Sequence, residues 1–481
     1  MDNGGPRLVA GIDCSTQSTK VVIVDPEDGS LVATARAPHV VDQRGLASES
    51  DPEGWWAALG QVLQETGRAD DVAAISIGAQ QLSLVALDAS GQVLRPAMLW
   101  NDTRSHAEIA GVHEAAGGVD AYVELTGSRL RPGMTLASWS WLRRNEPDVA
   151  ARTAAIRLPH DFLTERLTGA AVTDRGDASA TGWWDLVGDG YATTVLAAAG
   201  VDPAMLPRPL GPDTVAGEVT EAAARHTGLR PGTLVGCGTG DNMAAALALG
   251  IAPGEPVISL GTSGTVYTRS AARVPDRSAR LSQQAAASGD QLPLGCVLNA
   301  TLATDRFAAL LGLARDAVAE RTEVVAMPYF DGERLPDLPA ASGTITGIRT
   351  DTSAEEILLA VHEGVIFSLL DGLDALRRIA PEYSATAPIL LVGGGARGRV
   401  WQDTLRRLSG RAVHLPELEE HVAWGAAAQA CAAAEGGSSV DVARRWGLRR
   451  GVTLPALDRD DAAVERITRV REAADALNRL V

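Results

Sequence analysis

The chain has 481 residues, too many for one ordinary core and enough for two large domains. With 46% hydrophobic and 21% charged residues it has the composition of a folded globular protein. A net charge of −17 with no basic stripe speaks against nucleic acid and anionic lipid as partners, so an anionic substrate needs local dipoles, backbone amides and a metal.

Leu8–Ile12 reads as a buried strand, followed by the turn Asp13-Cys-Ser-Thr-Gln-Ser-Thr19. Val21–Val24 is a second strand, Pro26-Glu-Asp-Gly29 a turn, and Leu31–Ala35 a third strand. Asp51-Pro-Glu-Gly opens a helix carrying Trp55 and Trp56. Strands at Val72–Ile77 and Ser83–Leu87 flank Gly78-Ala-Gln-Gln-Leu82. From about Asn101 to Pro231 the pattern is mostly helical and alanine-rich, with an irregular stretch predicted at Thr173–Asp185. Leu234–Val235 then leads into Gly236-Cys-Gly-Thr-Gly-Asp-Asn242, which opens a helix over Met243–Leu249.

Val257–Tyr267 repeats the logic of the opening: apolar strand, Gly/Ser/Thr turn, apolar strand. Asp13-x-Ser-Thr-x-Ser-Thr19 can be laid over Ser259-x-Gly-Thr-x-Gly-Thr265, which predicts a duplicated domain with its second copy starting near residue 250. Ser353-x-x-Glu356 is a capping box for a helix with Leu358, Val361, Val365 and Leu369 on one face. A strand at Pro388–Val392, a helix at Val400–Leu408, a strand at Ala412–Leu415 and a helix at Val422–Ala434 follow. This alternation, with a hairpin opening each half, predicts an α/β protein with mixed sheets.

Four widely separated cysteines form no metal-ligand or disulfide spacing, which fits a reducing cytosol. The sequence suggests neither a signal peptide nor a membrane span, and a cytoplasmic protein is expected. The eight histidines form no ligand spacing and read as structural or surface residues.

Three glycine- or hydroxyl-rich turns carry the chemistry. In Asp13–Lys20 small residues let backbone N–H groups approach a phosphate, Asp13 can hold Mg²⁺ through water, and Lys20, the only lysine of the chain, adds positive charge. In Gly236–Asn242, Asp241 is either an N-cap or a general base toward a substrate hydroxyl. Gly393-Gly-Gly-Ala-Arg397 is either a bare strand-to-helix turn or an adenosine contact. Gln81 and Leu82, with Trp100 and Asn101, sit at strand ends beside polar groups that suit a polyol.

Together these residues resemble the FGGY carbohydrate kinases, nearly end to end. The resemblance also draws on Leu158-Pro-His-Asp161, Asp177-Ala-Ser-Ala-Thr181, Gly332-Glu-Arg334 and Gly425-Ala-Ala427. It implies a two-domain, actin-like, ribonuclease H-like fold with duplicated mixed-sheet domains, here 1–248 for sugar and 249–481 for nucleotide, and a cleft between them. It implies ATP-dependent phosphorylation of a ketopentose, D-xylulose first, to the 5-phosphate, with ATP and Mg²⁺ required. Asp241 resembles the proton acceptor and Asp13 the metal-side aspartate. Thr16, Lys20, Gly261 and Thr262 resemble phosphate contacts, and Gly394, Gly395 and Ala396 fall in the adenosine motif. Gln81, Leu82, Trp100, Asn101, Asp241 and Asn242 would contact the sugar. A homodimer is compatible with the family. Two positions depart from it: Leu82 stands where a histidine usually contacts the sugar, and Ser138 where lysine is usual. Leu82 keeps open a sibling kinase for another polyol, ketose or sugar acid. A sugar-responsive regulator and an actin-like filament ATPase are the remoter readings.

Overall fold

The computed structural model describes residues 8–278, 280–330, 332–338 and 340–479. They form two compact units, neither contiguous in sequence. The first takes the chain up to Ile251, with Gln283–Gln291 and Glu420–Arg449; the second takes Ala252–Ser282, Leu292–Glu419 and the chain from Arg450.

The first unit is organised on a seven-stranded sheet: β1 (Leu8–Cys14), β2 (Ser18–Val24), β3 (Leu31–Pro38), β4 (Val72–Ala79), β5 (Val215–Glu218), β6 (Leu234–Gly236) and β7 (Thr239–Gly240). The spatial order is β5-β6-β4-β1-β2-β3, and β7 extends the β6 side against β4. β1–β2–β3 is an antiparallel meander, whereas β4 runs parallel to β1, β6 and β7. Every residue of β1 is buried, as its unbroken apolar run requires of a strand covered on both faces. On one face of the sheet the helix Pro52–Glu65 packs against β2 and β3; it is started by Asp51, whose carboxylate accepts the N–H of Glu53 at 3.0 Å. Helix His421–Glu435 packs on β1 and β4. Its alanines and Gly425 make that close approach feasible, and Gly11 in β1 answers them: a Cβ there would meet the Ala427 methyl at 2.8 Å.

The second unit holds a six-stranded sheet: β8 (Val257–Leu260), β9 (Gly264–Tyr267), β10 (Leu294–Val297), β11 (Ile389–Val392), β12 (Val413–Pro416) and β13 (Gly451–Leu454). Its order is β10-β9-β8-β11-β12-β13. Again the first three strands form an antiparallel meander, two parallel strands follow, and the last strand is antiparallel. The spatial order of the first sheet is thus reproduced, except that its antiparallel edge strand β5 precedes β6 in sequence while β13 comes last. The capping box forms as the sequence suggests, with Ser353 and Glu356 exchanging hydrogen bonds at the start of Ala354–Ile379.

The predicted irregular stretch at Thr173–Asp185 is a correction. Val172–Asp174 is a short strand and Arg175–Ala180 a helix, whose first turn is fixed by Asp174 accepting the N–H groups of Gly176 and Asp177. Both elements are too short for periodicity to reveal.

Candidate active site

In the first unit the polar residues gather where β1, β4 and β7 end. Asp13 stands opposite Gly78 of β4, and Thr239 stands opposite the same glycine from the other side. Asp241 follows at once as the first residue of the helix Asp241–Ala248. The N-cap position of that helix belongs to Gly240, so Asp241 is not spent on capping. Its Oδ1 accepts from the backbone N–H of Asn242 at 2.7 Å and from the Asn242 amide at 2.8 Å. Burial of the carboxyl, then the like charge of Asp13, pushes Asp241 up to about 7, although the residue as a whole keeps some solvent access.

Asp13 is raised to about 6 by burial, against the pull of Lys20. Lys20 lies opposite Asp13 on β2 and donates to its Oδ2 at 3.3 Å and to Glu420. Burial disfavours the ammonium, but Asp13 and Glu420 overcome this and hold Lys20 above the ordinary lysine value. Asp13 Oδ1 is buried without a hydrogen-bond partner among the described residues. A single hard carboxylate oxygen left free beside a second carboxylate suits Mg²⁺ held largely through water, so the residues present fit that ion.

The sugar-side candidates are linked to Asp241. Gln81 Oε1 accepts from Asn242 Nδ2 at 2.9 Å, and Gln81 Nε2 approaches Asp177 Oδ1 and Gln284 Oε1, both at 3.5 Å. Behind Asp177 lies His160, with Nδ1 at 2.9 Å from Asp177 Oδ2. Burial alone would lower the imidazole; the carboxylates of Asp161, Asp177 and Asp174 instead hold it up at about 9. The glycines of Gly236–Asn242 make room for this cluster. A Cβ on Gly238, which has φ +75°, would meet the His160 ring at 2.7 Å, and one on Gly240 would meet Gln81 Cγ at 2.7 Å. Leu82 adopts φ 69°, gives its carbonyl to Thr135 Oγ1 at 2.8 Å and packs against an apolar cluster containing Tyr122, Leu130 and Trp139. Trp100 Nε1 donates to Thr16 Oγ1 at 3.0 Å, and Asn101 Oδ1 is buried without a hydrogen-bond partner among the described residues. Thr16, expected at the phosphates, is therefore tied to a sugar-side candidate. Ser138 is buried in the helix Thr135–Asn145.

The remaining candidates lie in the second unit, where two turns meet. Gly261 and Thr262 join β8 to β9, and their carbonyls accept N–H groups at the start of the helix Thr301–Leu311, Thr301 to Gly261 at 3.1 Å among them. Gly393, with φ +88°, leads β11 past Leu260, whose carbonyl oxygen a Cβ would meet at 2.6 Å. Gly395 faces Leu260 and Thr301, whereas a Cβ on Gly394 would meet nothing within 4 Å. That open face can take a flat ring. Ala396 is buried in the same turn.

Sequence reasoning did not single out Gln80, Gln284, His160 or Glu420 as site residues. His160 and Asp177 lie inside stretches that carry the family resemblance, so their pattern was a usable signal. Gln284 comes from far along the chain with no local motif.

The N-terminal domain of the FGGY family of carbohydrate kinases matches residues 8–248, and the C-terminal domain of that family matches residues 257–434. The chain belongs to the FGGY family of carbohydrate kinases. This FGGY kinase is 49% identical to a xylulose kinase of Streptomyces coelicolor over 99% of its own length and 98% of that protein's. It superposes on the xylulose kinase of Bifidobacterium adolescentis with TM-score 0.82 and 32% identity, covering 97% of this chain and 99% of the other. The xylulose kinase of Rhodospirillum rubrum gives TM-score 0.83 and 28% identity, covering 98% of each. The FGGY kinase is accordingly an enzyme that phosphorylates a sugar with ATP.

Proposed function

We propose that the sugar is D-xylulose and the product its 5-phosphate. The observation that carries this reading is the likeness, over nearly the whole of both chains, to proteins named xylulose kinases. The hydrogen-bonded set Gln81, Asn242 and Asp241 supports a polyol site, because it presents amides and a carboxylate without fixed positive charge. Asp241 is the general base. A carboxyl raised to about 7 is matched to taking a proton from a hydroxyl at neutral pH. Trp100 and Asn101 line the sugar side. Thr16, Lys20, Gly261 and Thr262 contact phosphates, and Gly394, Gly395 and Ala396 contact the adenosine. Asp13 would hold Mg²⁺ through water, and the ion would supply the positive charge that lets ATP phosphates sit beside two carboxylates. The matching strand orders of the two sheets support a duplicated, actin-like, ribonuclease H-like fold; the resemblance to the family supports sugar on residues 1–248 and nucleotide on 249–481, with Gln283–Gln291 and Glu420–Arg449 packed in the first unit. Four free cysteines fit a cytoplasmic enzyme.

Turnover then follows from residue chemistry. Asn242 and Gln81 fix the Asp241 carboxylate, which orients the attacking hydroxyl and receives its proton. Lys20 and the turn amides absorb the charge of the leaving phosphates. The test is ADP release with Mg-ATP across D-xylulose, L-xylulose, D-ribulose, L-ribulose, glycerol and gluconate. D-xylulose is expected to dominate, and Asp241→Ala to lose about 10³-fold or more in kcat while keeping its fold. Dominance of another substrate would overturn the sugar and point to Leu82, whose apolar side chain cannot replace a histidine hydrogen bond. Near-normal turnover by a folded Asp241→Ala protein would overturn the base.

A further inference from the structure

Gln80 occupies the centre of the strand-end array. Asp13 and Thr239 flank Gly78 in register, and Cys14 and Gly240 flank Ala79 one residue later. Gln80 follows Ala79 as Asp241 follows Gly240. The Gln80 N–H still donates to the Cys14 carbonyl at 3.0 Å, so its backbone continues the path of β4. Side chains alternate along a strand, so Gln80 shares the face of Gly78 and, across the parallel pair, of Asp13.

The Gln80 side chain is buried, and neither its Oε1 nor its Nε2 has a hydrogen-bond partner among the described residues. The next residue is the opposite case, with both ends of the Gln81 amide engaged. A primary amide withdrawn from water with no partner is unfavourable for folding, and such groups persist where a ligand supplies the missing bonds. Asp13 Oδ1 is unpartnered as well, so two orphaned groups mark the same strand ends. Between two carboxylates a phosphoryl group needs donors that add no negative charge, and an amide is such a donor.

We propose that Gln80 is a further catalytic residue, its side-chain amide contacting the phosphoryl group in transit from ATP to the sugar. This rests on the reading of the strand ends around Asp13 and Asp241 as the place of phosphoryl transfer. In the step, the sugar hydroxyl oxygen bonds to the γ-phosphorus. The bond from that phosphorus to the β–γ bridging oxygen breaks, and its electron pair leaves with ADP. The hydroxyl proton passes to Asp241. Gln80 Nε2 donates a hydrogen bond to an equatorial phosphoryl oxygen and neither gains nor loses a proton.

The experiment compares wild type, Gln80→Met, Gln80→Glu and Asp241→Ala by steady-state kinetics and by thermal melting without ligands. Gln80→Met keeps the size of the side chain. Its kcat is expected to fall about 10²-fold, with KM for the sugar little changed. Its unliganded Tm is expected to rise, because a buried unpaired amide has been replaced by an apolar group. Gln80→Glu places a third carboxylate against the phosphoryl group and is expected to fall further. Wild-type kcat in Gln80→Met overturns the proposal, as does a kcat loss accompanied by a lower Tm, which marks a structural role. If Asp241→Ala stays active while Gln80→Met is impaired and more stable, the base assignment falls and the Gln80 contact stands.

Discussion

Burial, and then the like charge of Asp13 from across β4, raise the affinity of the Asp241 carboxyl for a proton. For Asp241 the consequence has a definite sign. A general base works only when deprotonated, so under the role proposed for Asp241 a carboxyl at about 7 makes kcat/KM climb as pH rises through about 7 and fall below it. A pH–rate profile with an acidic limb near 7, displaced downward when Asp13 is changed to Asn, is the expected result; an acidic limb near 4 would mean that burial does not govern Asp241. Asp13 and Asp241 were legible in the sequence because each stands at the end of an apolar strand beside a run of small residues. His160 was legible only as part of a pattern, since its role depends on three carboxylates that the fold collects around it. Strain was not legible at all. Leu82 and Glu420, two of the four non-glycine residues at positive φ among the described residues, are both in this region, a conformation that costs on the order of 1–3 kcal/mol per residue.

At the scale of elements, the position of Asp241 depends on how closely two helices approach. Gly425 in His421–Glu435 lies against the helix Asp241–Ala248, and a Cβ on it would run into the Ala244 backbone, with the Ala244 Cα at 3.1 Å. Gly425→Ala is therefore expected to cost about 1–3 kcal/mol of stability and to lower kcat by displacing the proposed base. Gly437→Ala is the control, since a Cβ there meets nothing within 4 Å. Denaturant unfolding and kinetics on both variants check this; equal behaviour of the two would dismiss the packing argument. The strands and long helices were readable from apolar runs and caps. The short elements between Val172 and Ala180 were not, because three to six residues carry no period.

At the scale of the molecule, the sequence shows a repeat but not a cut. Periodicity reveals the helix after β12, yet nothing local says that it belongs with the first unit. There it covers β1 and supplies Gln429, which accepts from Ser76 Oγ at 2.7 Å in the interior of the sheet. A fragment ending at Ile251 would expose those strands and leave Ser76 unpaired. Expressed alone it is expected to be aggregated or lacking cooperative unfolding, and fusion of Glu420–Arg449 through a flexible linker is expected to improve its solubility and melting. A monomeric, cooperatively melting 8–251 fragment would refute this.

The ion pair of Lys20 with Asp13 and Glu420 also bears on covalent chemistry. Because the chain has no other lysine, acyl donors, amine-reactive dyes and cross-linkers have one side-chain target, and it lies in the proposed phosphate site. Its two carboxylates keep that amine protonated and therefore poorly nucleophilic. Arginine carries nearly all the positive charge, so side-chain acylation of this enzyme has a single, poorly reactive target, and under the proposed role of Lys20 its modification would lower turnover.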